Sequence, residues 1–256
     1  MKVLPALSLA ILIATTTACA TDRSLSPPVD SELLTVRIKV PEQLKANDLR
    51  LIYRSDTCKR IMHNANSVRF DTHDFKGTLQ QFVREGDIAE ANIPVSGGGK
   101  CSWKLSKVMF GVSYRDPAAF GQYFVEGAGG DIEVTVDRHQ DYLLRSSGAE
   151  VKSLTIGGSY YPIKKEYLRT PKLKRIGITS YDEFSLRFDA PGARSIYFEP
   201  VLHSEYVTTI LFPKEKNKDS RVIITYPDGS ITNDQGEPSF RKLEAIRKKS
   251  GGNKLK

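Results

Sequence analysis

The chain has 256 residues, of which 39% are hydrophobic and 27% charged, and 38 Lys+Arg against 30 Asp+Glu give a formal charge of +8. That length and balance suit one large or two small folded domains and exclude a globally disordered chain. The basic excess favours an acidic protein surface or anionic lipid as partner, or serves solubility alone.

The first element is Met1 to Ala20, MKVLPALSLAILIATTTACA. Lys2 precedes an uncharged, mostly apolar run from Val3 to Ala18, and Cys19 follows it. A basic start, a short apolar segment and small residues at its end predict a secretory signal; with Pro5 and its threonines, the run is short for a bilayer core of ~30 Å. The ending Thr16-Thr17-Ala18-Cys19 resembles the lipobox of bacterial lipoproteins, with Thr16 where leucine is usual. The resemblance implies that residues 1–18 are a signal peptide removed before Cys19, and that Cys19 is then acylated. Ala20, where aspartate would be the usual inner-membrane retention signal, implies the periplasmic side of the outer membrane. Two other readings stay open: an ordinary signal cut near Ala18 or Ala20, and an uncleaved anchor. Export argues against nucleic acid as a partner.

With Cys19 assigned to the anchor, Cys58 and Cys101 remain as an even pair in an oxidising compartment, which predicts a disulfide. Closing so long a loop stabilises a fold by ~4 kcal/mol on the chain-entropy model. A thiol nucleophile or metal pair there lacks nearby histidine or further ligands.

Residues 19–31 are polar with a Pro-Pro pair and read as a tether. Leu34, Val36, Ile38 and Val40 then alternate with Thr35, Arg37 and Lys39, the period of a half-buried strand. Leu49 to Arg54 reads as its antiparallel neighbour, with Cys58 just beyond. Residues 61–75 read as polar and irregular, and Gly77 to Glu85 as a short helix or another strand. Gly97-Gly98-Gly99 is a turn; a phosphate loop is excluded because Pro94 stands where a glycine is needed and no Ser or Thr follows Lys100. Lys100 to Tyr114 reads as a long strand with Trp103 packed near the cysteine pair. Ile132 to Val136 closes the first unit.

Candidate strands follow at Tyr142 to Arg145, Val151 to Ile156, Ile176 to Thr179, Phe184 to Phe188, Ile196 to Phe198, Val207 to Phe212 and Val222 to Tyr226. Turn signals separate them at Gly157-Gly158, Pro191-Gly192 and Pro227-Asp228-Gly229. Many short strands predict a mainly β fold of β-sandwich units, two of them, over residues 32–140 and 141–236. Over 237–256, Ser239 caps a short basic C-terminal helix with Phe240, Leu243 and Ile246 on one face, stopped by Gly251-Gly252. Docking of that helix onto the protein body is expected over docking on a membrane.

No Gly-x-Ser-x-Gly elbow occurs, and His63, His73, His139 and His203 are scattered. His63, Asp71, His73 and Asp74 match no metal-site spacing, so a solvated loop is expected, with no metal or cofactor. His203 with Glu199 and Glu205 has groups fit for acid–base work on geometry alone. The densest charge run is Lys164 to Arg175, KKEYLRTPKLKR. Its Lys164, Lys165, Tyr167, Arg169, Lys172, Lys174 and Arg175 form a candidate docking patch for an acidic protein surface or lipid headgroups; a solvated loop before a strand is the plainer reading.

The lipobox ending at Cys19 and the stretch Lys100 to Tyr114 together resemble periplasmic immunity lipoproteins, which neutralise toxic effectors of type VI secretion, membrane-attacking phospholipases among them. The resemblance implies a non-catalytic, membrane-anchored protein that binds a secreted lipase or phospholipase and occludes it. A structural or assembly lipoprotein of an envelope complex is the alternative, and an enzyme with a site assembled from distant residues is a second.

Overall fold

A computed structural model describes residues 22–137, 151–180, 185–215, 220–233 and 236–252. The expected signal peptide, Cys19, His139, the strand expected at 142–145 and the tail after 252 lie outside these. The described residues are mainly β and form two sheets and one short C-terminal helix. Its first strands are β1 (Leu33–Lys39), β2 (Leu44–Ala46), β3 (Leu49–His63), β4 (Arg69–Gln80), β5 (Val83–Glu85), β6 (Ile88–Pro94), β7 (Ser96–Gly98) and β8 (Trp103–Tyr114). After a 3-10 turn at Pro117–Phe120 come β9 (Phe124–Glu126), β10 (Gly130–Thr135), β11 (Ser153–Tyr167), β12 (Lys174–Thr179) and β13 (Ser185–Asp189). β14 (Ser195–Leu202), β15 (Thr208–Phe212), β16 (Ile223–Thr225), β17 (Ile231–Thr232) and α1 (Phe240–Gly252) complete the order.

One sheet runs β17-β16-β15-β11-β14-β1-β6-β5, with β12 beside β11 and β9 beside β12. The other runs β13-β10-β8-β3-β4, with β2 and β7 also on β8. The alternation read over Leu34 to Ile38 is realised: those apolar side chains are buried and their polar neighbours are not. They join Phe110 and Val112 of β8 and Ile196 and Phe198 of β14 in one core. The Phe110 and Phe198 rings meet across the two layers at 5.9 Å.

Segments 32–140 and 141–236, expected as separate units, interleave in both sheets. β1 lies between β6, antiparallel, and β14, parallel, while β10 carries β13 as a parallel neighbour. Parallel pairing between distant strands leaves no hairpin signal in the sequence, so the joining is invisible there. Gly157-Gly158, expected as a turn, continues β11 opposite Glu199 and Pro200 of β14. β11 therefore belongs to the main layer over 153–160 and passes between β12 and β15 beyond Tyr161.

There it covers a second, smaller core. Tyr161, Ile163, Ile210, Ile224 and Tyr226 pack with Leu243 and Ile246 of α1. Ser239 accepts from the Lys242 amide at 3.4 Å, the cap expected from the sequence. The helix lies on the protein body and includes Gly251 and Gly252 instead of ending before them.

Residues 61–75, expected as irregular, are instead the outer half of a long β-hairpin. β3 pairs with β4 from Leu49↔Gln80 out to His63↔Arg69, interrupted between Ser55 and Lys59. Its outer half is exposed on both faces, so core-directed alternation is lost and the residues read as a loop. At the interruption the sulfurs of Cys58 and Cys101 are 2.06 Å apart, a disulfide distance. Trp103 is fully buried in the same core as that pair.

Candidate functional site

The run Lys164 to Arg175 is the end of β11, a turn, and the start of β12, not a loop before a strand. Strand alternation sorts its side chains onto two sides. Ile163, Lys165 and Tyr167 face a cleft of about 320 Å³, with Arg175 opposite and Glu237-Pro238 at its rim. Lys164 and Leu168 face a second hollow of about 510 Å³, whose other walls include Phe120, Tyr123 and Phe124.

The first cleft is shaped by backbone contact. The far wall is Gly127-Ala-Gly-Gly130, where the Gly127 amide donates to the Ile176 carbonyl at 2.8 Å. A Cβ on Gly177 would lie 2.5 Å from the Ala128 oxygen, and one on Gly130 would lie 2.1 Å from the Tyr160 ring. Only glycine permits that approach.

Most of the expected basic patch is already engaged within the chain. Lys165 pairs with Glu237, and Lys174 with Glu166 at 2.9 Å. Lys164 and Lys174 lie over the Phe124 ring at 5.5 and 5.6 Å. Arg175 donates to the Glu126 carbonyl at 3.3 Å, and Tyr167 stacks on Phe212 at 4.8 Å. Exposed pairs of this kind contribute little energy but fix side-chain positions. Arg169 and Lys172, at the exposed turn, make no such contact among the described residues.

Around those two cations lies apolar surface that the charge run does not announce. Leu168, Leu173, Tyr123 and Val125 are exposed, and β9 brings the latter two alongside β12. Tyr123 holds a left-handed backbone with φ of 70°, which costs free energy in a bulky residue, and its side chain is exposed. The density of aromatics in Phe120-Gly-Gln-Tyr-Phe124 is the sequence signal for this part of the surface. The seven expected residues thus divide into a braced framework (Lys164, Lys165, Tyr167, Lys174, Arg175) and two available cations (Arg169, Lys172).

His203 does not meet Glu199, which instead pairs with Lys39 at 2.7 Å. Its Nε2 lies 3.1 Å from the Ser159 Oγ, and its ring stacks on Tyr161 at 5.1 Å. Burial, and next the nearby Arg247, lower its pKa below the usual 6.5, while Glu205 and Glu244 oppose this more weakly. Tyr161 in turn donates to Glu244, and Arg247 closes on both, with 2.8 Å to the carboxylate. Neither hollow includes Ser159 or His203. The cluster ties α1 to β11. Of the other expected ligand group, His73 sits 3.6 Å from Asp56, Asp74 is bound by Arg23, and His63 and Asp71 are exposed. Among the described residues no group of three His, Cys, Asp or Glu side chains is placed to hold a metal.

No family model, no curated protein and no solved structure matches this chain. What the fold and surface define is a two-layer β protein whose most developed surface is a braced hairpin with apolar and cationic side chains at its tip.

Proposed function

We propose that the protein is a non-catalytic, membrane-anchored binding protein of the periplasm. In this reading Cys19 carries the lipid, in the outer membrane, and the body binds and inhibits a toxic secreted effector of the phospholipase or lipase class. The β11–β12 hairpin and β9 are the contact surface. The observation that carries the reading is the juxtaposition of exposed Tyr123, Val125, Leu168 and Leu173 with the uncommitted cations Arg169 and Lys172 on a framework of internal pairs.

Physically, that surface has what a docking site needs. Protein interfaces of standard size bury roughly 1,600 Å² in total and concentrate their energy in a few aromatic or Arg anchors. Tyr123 and Arg169 are anchors of those kinds. Because the surrounding lysines are already paired, little side-chain freedom remains to be lost on association. The two free cations steer an acidic partner, and a rigid sheet edge laid over an enzyme's mouth excludes its substrate. A lipid at Cys19 would hold the inhibitor at the surface where a lipase acts.

Growth of cells receiving a periplasm-delivered phospholipase tests the reading. The unaltered chain should restore growth, and the double substitution Arg169→Glu/Lys172→Glu should abolish rescue at equal protein level. Rescue by neither protein would sink the immunity reading, while equal rescue by both would move the contact surface away from this hairpin.

A further inference from the structure

The outer half of the β3–β4 hairpin is an arm with no function in the reading above. We infer that this arm is a second membrane-contact element, which lies on the anionic lipid surface beside the anchor and sets the orientation of the body; the inference rests on the lipid-anchor reading of Cys19.

The arm's composition fits such a surface. Ile61, Met62, Val68 and Phe70 are each 41–57% exposed, a density of outward apolar side chains that water does not favour. Met62 and Phe70 are directly opposed across the strands and so share a face. Arg60 lies on that face too, its guanidinium 4.3 Å above the Phe75 ring. Lys59, Ile61, His63, Arg69 and Asp71 line the opposite face, so apolar side chains stand on both sides of the arm with basic ones among them. Apolar side chains that enter the acyl boundary, flanked by arginine and lysine that meet phosphate, are the pattern of an interfacial element.

The position of the chain start supplies the occupant. Arg23 is clamped to the root of the arm: its guanidinium donates to Asp74 at 2.6 Å and to the Lys59 carbonyl at 3.2 Å. Lys76 donates back to the Arg23 carbonyl at 2.8 Å, and the Ser26 amide donates to Gly97 at 2.9 Å. Four residue steps lead from Cys19 to Arg23, a reach of at most roughly 14 Å. Any lipid on Cys19 therefore enters the bilayer close to the arm's root. The arm beyond Lys59 extends about 17 Å, so its apolar side chains are within reach of the same leaflet. Tethering at that distance also raises the local concentration of lipid far above that of any free partner.

The test uses the full chain, matured in a bacterial envelope and reconstituted in vesicles of phosphatidylethanolamine and phosphatidylglycerol with brominated acyl chains. Trp103 is the only native tryptophan and is buried, so a Met62→Trp variant reports on the arm, and Ile231→Trp on an exposed position at β17 serves as control. Blue-shifted emission that loses most of its intensity to brominated lipid in the Met62→Trp variant, but not in the control, is expected. Phe70→Trp gives the same readout should Met62→Trp misfold. Indifference of both arm variants to brominated lipid overturns the inference, as does a blue shift that depends on protein concentration alone, which would make a second copy the occupant. Equal quenching in phosphatidylcholine vesicles overturns the assignment to an anionic surface. The mass of the Cys19 peptide is read separately: an acylated Cys19 with an unquenched arm sinks the arm and spares the anchor, and an unmodified Cys19 sinks the anchor.

Discussion

Tyr161 of β11 donates its hydroxyl to the Glu244 carboxylate of α1, and the Arg247 Nε donates to the same Tyr161 oxygen at 2.9 Å. This three-membered bridge sits at the edge of the smaller core and joins α1 to β11, the 15-residue strand that spans both cores. Burial first, then Glu244, push the Tyr161 hydroxyl up to about 12. The Arg247 guanidinium first, then Tyr161, hold the Glu244 carboxyl down at about 2, below the ordinary 4.5.

Acid should therefore loosen α1 first. Glu244 has a depressed pKa, so its stabilisation is full above pH 4.5 and is lost as pH falls from there towards 2. His203 is held neutral in the fold, so stability also falls once pH drops below its ordinary 6.5. Both groups act in the same direction. Protection against hydrogen exchange, taken relative to the intrinsic rate at each pH, should fall in residues 240–250 before it falls in β8 as pH drops from 7 to 3, and Glu244→Gln should remove much of the dependence below pH 4.5.

At neutral pH, Glu244→Ala should lower stability by about 2 kcal/mol, the scale of hydrogen bonds to a charged group, because it strips the partner from Tyr161 and from Arg247. Urea denaturation checks this. A change below ~0.5 kcal/mol would mean that α1 is held by Leu243 and Ile246 alone.

Reduction of the Cys58–Cys101 pair, or Cys58→Ser/Cys101→Ser, should cost about 4 kcal/mol on the chain-entropy model, since the two are 43 residues apart. Denaturation with and without reductant gives the value. Limited proteolysis should then cut first in the arm between Lys59 and Arg69, whose root the pair braces.

Two glycines should behave oppositely. Gly130→Ala places a Cβ 2.1 Å from the Tyr160 ring and should destabilise by about 3 kcal/mol or prevent folding. Gly77→Ala meets nothing within 4 Å and should be neutral or mildly stabilising, by up to about 0.5 kcal/mol. Thermal unfolding of the pair measures the cleft wall against an open strand position.

Much of the β architecture was legible because half-buried strands leave period-two alternation, as in Leu34 to Val40 and Ile132 to Val136. The helix was legible from Ser239 and the spacing of Phe240, Leu243 and Ile246. The candidate surface was legible only in part. A charge run says where cations cluster, but not that Lys165 and Lys174 are paired with Glu237 and Glu166 while Arg169 and Lys172 have no such pair among the described residues.

By itself, the order of residues determined the fold class, the pairing of two cysteines and the docked basic helix, since each depends on local periodicity or on counting. Tertiary structure alone decided that β1 and β14 run side by side, that Tyr123 and Leu168 share one surface, and that Arg23 is locked to the root of the arm. Those relationships join residues tens to more than a hundred positions apart. No local propensity encodes them, because the free energy that selects them arises only when both faces have found the same core.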